Sequence, residues 1–307
     1  MPRYRLTIAY DGTEFCGWQK QEPPLAGGGD GAGESQEAGP EQLPKQCRTA
    51  AYGEQTPMMT SEREGRAALR TVQGVVEQAV RGVCRERVEL VGASRTDSGV
   101  HARGQVAAFS TIPDGKGTGW PSERGVDRLM AAVNSRLPDD VTLLAASEVA
   151  VGFDPIGDAV RKMYSYTFSV GPVKPVWTRR LVNWLPRGAL DVAGMNAAAA
   201  LLVGEHDFAA FAAAGHGRLS TVRTVYTLSV SDAGAGDGGN RVVRMEVVGN
   251  GFLWNMVRII AGTLMQVGLG QKSVEQVREA LESRDRAKAG LTAPPQGLCL
   301  ERIWYPD

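Results

Sequence analysis

An arginine and an aspartate two positions apart stand at the centre of residues 92–105, which have the sequence GASRTDSGVHARGQ. Apolar runs on either side, residues 88–91 and 106–109, predict short strands. A loop between two strands can fix a carboxylate in space while leaving room for a bulky substrate. In an extended segment Arg95 and Asp97 point to the same side, so the arginine keeps the aspartate ionised and can meet a phosphate or a base. The alternative is an aspartate that only hydrogen-bonds the backbone of its own turn.

A second arginine, Arg258, lies in a segment with an apolar helical pattern, GFLWNMVRIIAGTL from residue 251. A buried arginine needs an anionic partner because an unpaired buried charge is costly, and Asp97 is the partner that we expect. A nearby guanidinium lowers the pKa of an aspartate by roughly 1–3 units from about 3.9, so Asp97 should be a carboxylate at neutral pH. That state suits a nucleophile, or a stabiliser of positive charge on a sugar, better than a proton donor.

Two further segments combine aromatic and polar residues, and each allows two interpretations. Residues 10–19, YDGTEFCGWQ, fit either a plain turn with core aromatic residues or the rim of a cleft. Residues 161–166, RKMYSY, place two bases ahead of two tyrosines. That combination suits the stacking of a base beside its phosphate, and it equally fits a core strand with a solvated basic start.

The elements that must position these residues follow from periodicity. Alternation predicts strands at residues 3–10, 141–146, 164–170 and 298–305, and a hairpin of 221–230 with 241–248 across a loop at 231–240. Helical spacing predicts helices over 72–83, 123–136, 191–202 and 252–267, and a capping box at Ser273 and Gln276 opens another. Strands joined by hairpins as well as helices indicate an α+β fold. Two halves of similar order, 1–150 and 151–307, suggest two related subdomains with the active-site cleft between them.

Composition limits the class of protein. The chain has 307 residues, of which 43% are hydrophobic and 22% charged, and no apolar run approaches the roughly 20 residues of a membrane span. The N-terminal residues show neither an apolar signal core nor an Arg/Ser-rich leader, so we expect a cytoplasmic protein, with an organelle as the alternative. Four scattered cysteines and three histidines argue against a metal site.

Residues 22–67 predict a long disordered insertion, since they are rich in Gly, Pro and Gln and hold one aromatic residue, Tyr52. The segment carries eight acidic and four basic residues, a net charge of −4, which leaves +4 on the rest of a chain that is neutral as a whole. A modest positive balance is compatible with RNA binding.

Six blocks of sequence resemble, in order, those of the tRNA pseudouridine synthase A (TruA) family. They are YDGT…GWQ from Tyr10, RTDSGVHA…GQ from Arg95, KMYSY from Lys162, GEHDF…F from Gly204, FL…MVR from Phe252, and PQGL from Pro295. The resemblance extends from Tyr4 to Tyr305 apart from the insertions, and the block around Asp97 is very specific. It implies the pseudouridine synthase fold, in which mixed or antiparallel sheets of two subdomains join into an extended sheet with helices on one face.

The resemblance also implies a function. Family members isomerise uridine to pseudouridine at positions 38, 39 and 40 of the tRNA anticodon stem-loop, without a cofactor or metal. They act as homodimers in which each tRNA contacts both subunits. Asp97 matches the catalytic aspartate, and Arg95 matches the arginine that enters the space left by the flipped uridine. Tyr164 matches the tyrosine that stacks on the target base, and Arg258 matches the arginine that pairs with the catalytic carboxylate.

The chain departs from the family in two places, and two other functions stay open. Residues 153–158, FDPIGD, lack the basic residue that usually follows this phenylalanine, and the insertion replaces a short connection. One alternative is a pseudouridine synthase acting on other uridines of tRNA or small RNAs. The other is a tRNA-binding chaperone with a vestigial site, which the joint presence of Arg95, Asp97, Tyr164 and Arg258 disfavours.

Overall fold

The computed structural model describes residues 1–21, 69–213 and 220–306, so the predicted insertion at 22–67 lies outside the described residues. The chain folds as two compact units, Met1–Asp158 and Ala159–Asp307. Within the described ranges no helix is both long and apolar enough to cross a membrane.

The first unit is built on an antiparallel sheet. Its main strands are β1 (Arg3–Tyr10), β3 (His101–Ser110) and β4 (Val141–Val149), in the order β4–β1–β3, and the two-residue strand β2 (Val91–Gly92) pairs with β3. The alternation predicted for β1 is confirmed, since every second side chain is buried: Tyr4, Leu6, Ile8 and Tyr10. Register pairs Tyr4 with Phe109 and Leu6 with Ala107.

Among its described residues, 1–21 and 69–158, the first unit has two helices, α1 (Val72–Cys84) and α2 (Val126–Asn134). Helix α1 has the predicted position, and the Thr71 side chain caps it by accepting from the Gly74 N–H (3.3 Å). The helix predicted over 123–136 is shorter at both ends. Residues 122–124 form a 3₁₀ turn, and Gly125, at φ +76°, separates that turn from α2.

The strand predicted over residues 88–91 is wrong except for its last residue. Side chains of α1 take up the backbone groups that a neighbouring strand would have paired. Leu90 donates its N–H to Glu77 (3.0 Å) and accepts from Gln73 (2.7 Å), and the Val88 carbonyl accepts from Arg81 (3.0 Å). Because these buried polar groups are satisfied from the helix, the segment needs no ladder.

The second unit has a larger sheet around β5 (Arg161–Val170). Its other strands are β6 (Asn183–Leu185), which pairs with β5 in parallel, β7 (Gly204–Asp207), β8 (Val222–Ala235), β9 (Arg241–Gly249) and β10 (Leu298–Trp304). The order of the main strands is β10–β5–β9–β8–β7, and these neighbours are antiparallel. The predicted strands and hairpin are confirmed, but β8 extends five residues into the predicted loop at 231–240. An Arg241–Asp232 ion pair (2.6 Å) joins the strands there.

The described part of the second unit contains three helices: α3 (Val192–Ala200), α4 (Met256–Gly268) and α5 (Val274–Ser283). The caps predicted at Asp191 and at Ser273 with Gln276 are confirmed. Helix α4 begins four residues later than its apolar pattern suggests, because Asn255 adopts a left-handed conformation, φ +59°. Helices interleaved with mainly antiparallel strands confirm the α+β fold.

Candidate active site

The segment that carries Asp97 is a tight turn between β2 and β3. The Val100 N–H donates to the Asp97 carbonyl oxygen (3.1 Å), and Gly99 supplies the left-handed backbone, φ +78°, that such a turn requires. Arg95 is exposed, Thr96 is buried and Asp97 is half-buried. Because neighbouring side chains of an extended segment point to opposite sides, this pattern directs Arg95 and Asp97 away from the core.

The buried threonine anchors the turn to the core of the first unit. Its hydroxyl shares a hydrogen bond with the Tyr10 hydroxyl (2.8 Å), and its carbonyl oxygen accepts from the Trp18 N–H (3.0 Å). A buried polar group left without a partner costs about 1–3 kcal/mol, so both bonds oppose movement of Thr96. The residue before Asp97 is therefore fixed by two contacts from one neighbouring segment.

That segment, residues 10–19, packs on the Asp97 turn so closely that two positions have no room for a side chain. A Cβ atom at Gly17 would lie 2.7 Å from the Thr96 carbonyl oxygen, and one at Gly12 would lie 1.9 Å from that of Val100. Gly17 also has a left-handed backbone, φ +90°. Of the two interpretations that the sequence left open, the core aromatic residues are confirmed, because Phe15 and Trp18 are buried. The segment also braces the backbone on both sides of Asp97.

Trp18 joins this brace to the rest of the unit. Its indole is buried beside Gly92, where an added Cβ would lie 2.2 Å from the indole nitrogen. The first N–H groups of α1 are bound by the same segment, since Val72 donates to Gly17 (3.2 Å) and Gln73 to Trp18 (3.0 Å). Helix α1 and the Asp97 turn thus share one support.

Gln105 closes the base of the Asp97 loop. Its buried amide donates to the Ser94 carbonyl oxygen (2.6 Å) and accepts from the N–H groups of Ser94 (3.3 Å) and Val106 (3.1 Å). Sequence analysis assigned no role to Gln105. The only signal was its place at the end of the RTDSGVHA…GQ block.

Asp11 and His101 form a second contact that sequence analysis missed. An oxygen of the Asp11 carboxylate accepts from the Thr13 N–H (3.0 Å) and hydroxyl (2.5 Å) and lies 3.2 Å from His101 Nδ1. The same nitrogen accepts from the Gly12 N–H (3.0 Å). The imidazole, followed by the hydrogen bonds from Thr13, holds the pKa of the Asp11 carboxyl well below its usual range, against the opposing effect of partial burial.

Tyr164 lies in β5 of the second unit and is 6% exposed. Its ring meets the edge of Phe252 at a centroid distance of 5.3 Å and an interplanar angle of 86°. Such an edge-to-face contact restrains ring orientation. Phe252 therefore packs against the Tyr164 ring and is not part of the apolar face of α4, which begins at Met256.

Arg258 lies in the first turn of α4 and is half-buried. Its Nε donates to the Ala293 carbonyl oxygen (2.8 Å) and one terminal nitrogen donates to Asn255 Oδ1 (2.8 Å). The Ala293 N–H returns a bond to the Arg258 carbonyl oxygen (3.1 Å), so the guanidinium is fixed by contacts within its own unit. The pairing of Arg258 with Asp97 stays a prediction.

A basic and aromatic cluster marks the start of β5. The guanidinium carbons of Arg161 and Arg302 lie 5.6 Å and 5.1 Å from the ring centroid of Trp304 on β10, and both arginines are exposed. Strand register places Trp304 opposite Arg161. The aromatic ring beside the basic start of β5 is therefore that of Trp304. Two exposed arginines around one aromatic ring suit contact with an RNA backbone.

Residues 1–21, 69–213 and 220–306 contain no group of three or more His, Cys, Asp or Glu side chains that could hold a metal ion.

Comparison with known proteins gives the family. A family model described as tRNA pseudouridine synthase matches residues 198–306. Proteins named tRNA pseudouridine synthase A are similar over most or all of the chain. The one from Geobacter sp. (strain M21) is 36% identical over 308 aligned positions, 100% of this chain and 100% of the relative. That of Geotalea uraniireducens (strain Rf4) is 38% identical over 305, covering 99% and 100%. That of Thermoanaerobacter sp. (strain X514) is 43% identical over 235, covering 76% and 90%. On this full-length similarity, the chain belongs to the tRNA pseudouridine synthase A family.

Proposed function

We propose that this protein converts uridine to pseudouridine in tRNA and that the Asp97 carboxylate is its catalytic group. The observation that carries the proposal is the braced turn, in which a half-buried aspartate stands two residues from an exposed arginine. A catalytic carboxylate has to be held within a fraction of an ångström of its productive position. The reaction is inferred from the names of the relatives, and the Asp97 carboxylate on its braced turn is a group suited to that reaction.

The reaction calls for one ionised carboxylate near the ribose. The bond from C1′ to N1 breaks, the uracil rotates, and C1′ joins C5. Positive charge develops at C1′ as in glycoside cleavage, and a carboxylate can stabilise it. Asp97 either bonds to C1′ and leaves again, or takes a sugar proton to give a glycal and later returns it. In both routes C5 loses its proton and N1 gains one.

Arg95 has the exposure that the proposed role demands. The target uridine must leave its stack, at a cost of a few kcal/mol. An exposed guanidinium, two residues from the catalytic carboxylate, can enter the vacated space and hydrogen-bond the neighbouring bases. Arg95 therefore supports the extruded state.

Tyr164 and Arg258 complete the proposal. Tyr164 stacks on the extruded base and receives the C5 proton, and the edge-on contact from Phe252 fixes the ring for that purpose. Arg258, held by Ala293 and Asn255, supplies the cation that pairs with the catalytic carboxylate.

The proposed substrate is the anticodon stem-loop, with uridines 38, 39 and 40 as targets, and the proposed compartment is the cytoplasm. Both follow from the family resemblance. The exposed arginines beside Trp304 offer a surface for the tRNA backbone.

We also propose that the protein acts as a homodimer. Segment 171–182 carries an exposed apolar patch of four side chains: Val173, Val176, Trp177 and Leu181. Trp177 is 88% exposed, yet its backbone is fixed, because Asp237 accepts from the N–H groups of Trp177 and Thr178 (both 3.0 Å). A fixed and exposed tryptophan within an apolar patch is typical of a protein interface.

The test of the catalytic role uses tRNA transcripts labelled with tritium at uridine C5, since each turnover releases that hydrogen to water. Asp97→Ala and the isosteric Asp97→Asn should each lower the rate at least about 10³-fold, equivalent to about 4 kcal/mol. Binding of tRNA should stay within about tenfold of wild type, about 1.4 kcal/mol. Parallel loss of binding and activity would make Asp97 a structural residue and overturn the assignment.

The test of the target maps pseudouridine by primer extension after carbodiimide treatment. Product should be confined to positions 38–40, and a transcript with cytidine at all three positions should yield none. Product elsewhere would favour the alternative synthase with other RNA targets. Tight binding of tRNA by wild-type protein without any product would favour the chaperone.

A further inference from the structure

We propose that His101 is a positioning residue, which holds the Asp97 turn through a contact of one ring nitrogen with both Asp11 and the Gly12 backbone. The inference rests on the proposed function, because it concerns the alignment of Asp97 for that reaction. It goes further by assigning a task to a buried, titratable side chain that takes no part in the chemistry described above.

The contact makes two opposite demands on Nδ1. The Gly12 N–H, at 3.0 Å with hydrogen-bond geometry, needs a lone pair on that nitrogen. The Asp11 carboxylate, at an ion-pair distance of 3.2 Å, favours a proton there. A neutral imidazole nitrogen is a donor or an acceptor and cannot be both.

The other ring nitrogen cannot relieve this conflict. Nε2 is buried and has no hydrogen-bond partner within the described part of the chain. A proton on Nε2 leaves a buried donor unsatisfied, and a proton on Nδ1 removes the acceptor of the Gly12 N–H. The site is therefore imperfect in either tautomer, which argues that stability alone does not explain the imidazole.

The structure gives a direct path from His101 to Asp97. The Gly12 Cα abuts the Val100 carbonyl so closely that no Cβ would fit, and the N–H of Val100 closes the turn on the Asp97 carbonyl oxygen. His101 binds the N–H of Gly12 and so holds Gly12 against Val100. Loss of the imidazole would release this side of the turn.

The preceding side of the turn has its own supports. Thr96 is bound by Tyr10 and Trp18, and Gln105 closes the base of the loop. Replacement of His101 should therefore shift Asp97 without unfolding the unit. Direct acid–base catalysis by His101 is disfavoured, because Nδ1 is engaged and the side chain is only 7% exposed.

Two variants separate positioning from packing. His101→Leu keeps a side chain of comparable size and removes both nitrogens. His101→Asn places an amide where Nδ1 lies, so it can accept from the Gly12 N–H or donate to the Asp11 carboxylate.

A misplacement of about 1 Å can cost about 10²-fold in rate, so kcat for tritium release should fall by that order in His101→Leu. It should return to within about fivefold of wild type in His101→Asn, as an order-of-magnitude expectation from restored alignment. KM for tRNA should change less than about threefold in both, because alignment of the reacting group is not uniform binding.

A double-mutant cycle with Asp11→Asn tests the pair. If Asp11 acts through His101, the combined loss of kcat will be smaller than the product of the two single losses. Nitrogen-15 spectra of labelled histidine give a readout that does not depend on turnover, since the chain has only three histidines. The ring nitrogen shifts of His101 should change in Asp11→Asn.

Three results would overturn the proposal: an unchanged kcat in His101→Leu, equal losses in the Leu and Asn variants, or a rise in KM that accounts for the whole effect. Thermal melting excludes unfolded variants from the comparison. Failure of the proposed function is a separate outcome, because wild-type protein would then release no tritium while the His101 spectra would still report the Asp11 contact.

Discussion

Two aspartates of the first unit have different surroundings: Asp11 lies in the bracing segment, residues 10–19, and Asp97 lies in the turn that this segment supports. Asp11 is engaged by the N–H and hydroxyl of Thr13 and faces an imidazole, so its charge is used to hold backbone in place. Asp97 is half-buried beside an exposed arginine, in a turn whose backbone is held from both sides. At the scale of single residues, the Asp11 carboxylate helps to hold the bracing segment, and that segment in turn holds the backbone that carries the Asp97 carboxylate.

The structural charge of Asp11 should appear in the pH dependence of stability. Because the folded-state pKa of Asp11 lies below the unfolded value of about 3.9, its contribution is present above that value and is lost as the pH falls through the folded pKa. Asp11→Asn keeps an oxygen that can accept from Thr13 but removes the charge. It should lower Tm by about 1–3 °C at pH 7, a modest effect because the side chain is partly exposed. Calorimetry at pH 7 and pH 3 should show the deficit shrinking in acid. A deficit that is the same at both values would mean that packing, not charge, is responsible.

At the scale of elements, the sequence predicts the strands and helices whose formation depends on residues close together in the chain. Alternation placed β1 and β5, helical spacing placed α1 and α3, and a capping box placed the start of α5. Errors arose where a long-range contact or a special backbone conformation, neither of which periodicity encodes, decides the outcome. Residues 88–90 are not a strand because α1 binds their backbone, and α4 starts late because Asn255 is left-handed.

The candidate site shows the same division. The motif identified Asp97 and Arg95 by type and spacing, since both lie in one continuous block. The support from residues 10–19 was left open, because Gly12 and Gly17 meet Val100 and Thr96 across roughly eighty residues of chain. The periodicity of apolar residues, which reports on strands and helices, gives no indication of such a contact. The sequence shows only that glycines stand at positions where a side chain would collide.

Gly17 allows the support itself to be tested. Gly17→Ala adds a Cβ 2.7 Å from the Thr96 carbonyl oxygen, on a backbone with φ +90°. Left-handed strain costs about 1–2 kcal/mol, and the clash must also push Thr96, with Asp97 beside it, out of place. Activity should therefore fall about 10²-fold while tRNA binding is kept.

Gly115→Ala is the matched control for this prediction. Gly115 has a similar backbone, φ +70°, but an added Cβ would meet nothing within 4 Å. The control should lose about 1–2 kcal/mol of stability from strain and keep its activity. Equal activities for the two variants, measured by tritium release beside chemical denaturation, would show that the segment does not position Asp97.

At the scale of the whole molecule, the apolar patch of segment 171–182 is the feature that folding of one chain leaves unexplained. The segment from 171 to 190 holds four basic and no acidic residues. Asp237 and Asn240, at the end of the β8–β9 hairpin, bind its backbone at Trp177, Thr178 and Val173. Exposed apolar side chains on a fixed backbone, with basic residues in the same segment, have a composition that suits an interface.

Trp177→Ser should therefore weaken the proposed homodimer. A central tryptophan of an interface typically contributes at least about 2 kcal/mol, which raises the dissociation constant about 30-fold. Light scattering after gel filtration, over a range of protein concentrations, should show wild type as a dimer and the variant as a monomer at low concentration. Leu144→Ser is the control, because Leu144 is also exposed (53%) but lies on β4 of the first unit, outside the patch. If each tRNA contacts both subunits, activity on full-length tRNA should fall with dimer content in Trp177→Ser, and activity on an isolated anticodon stem-loop should fall less. A variant that stays dimeric at all concentrations would remove segment 171–182 from the interface.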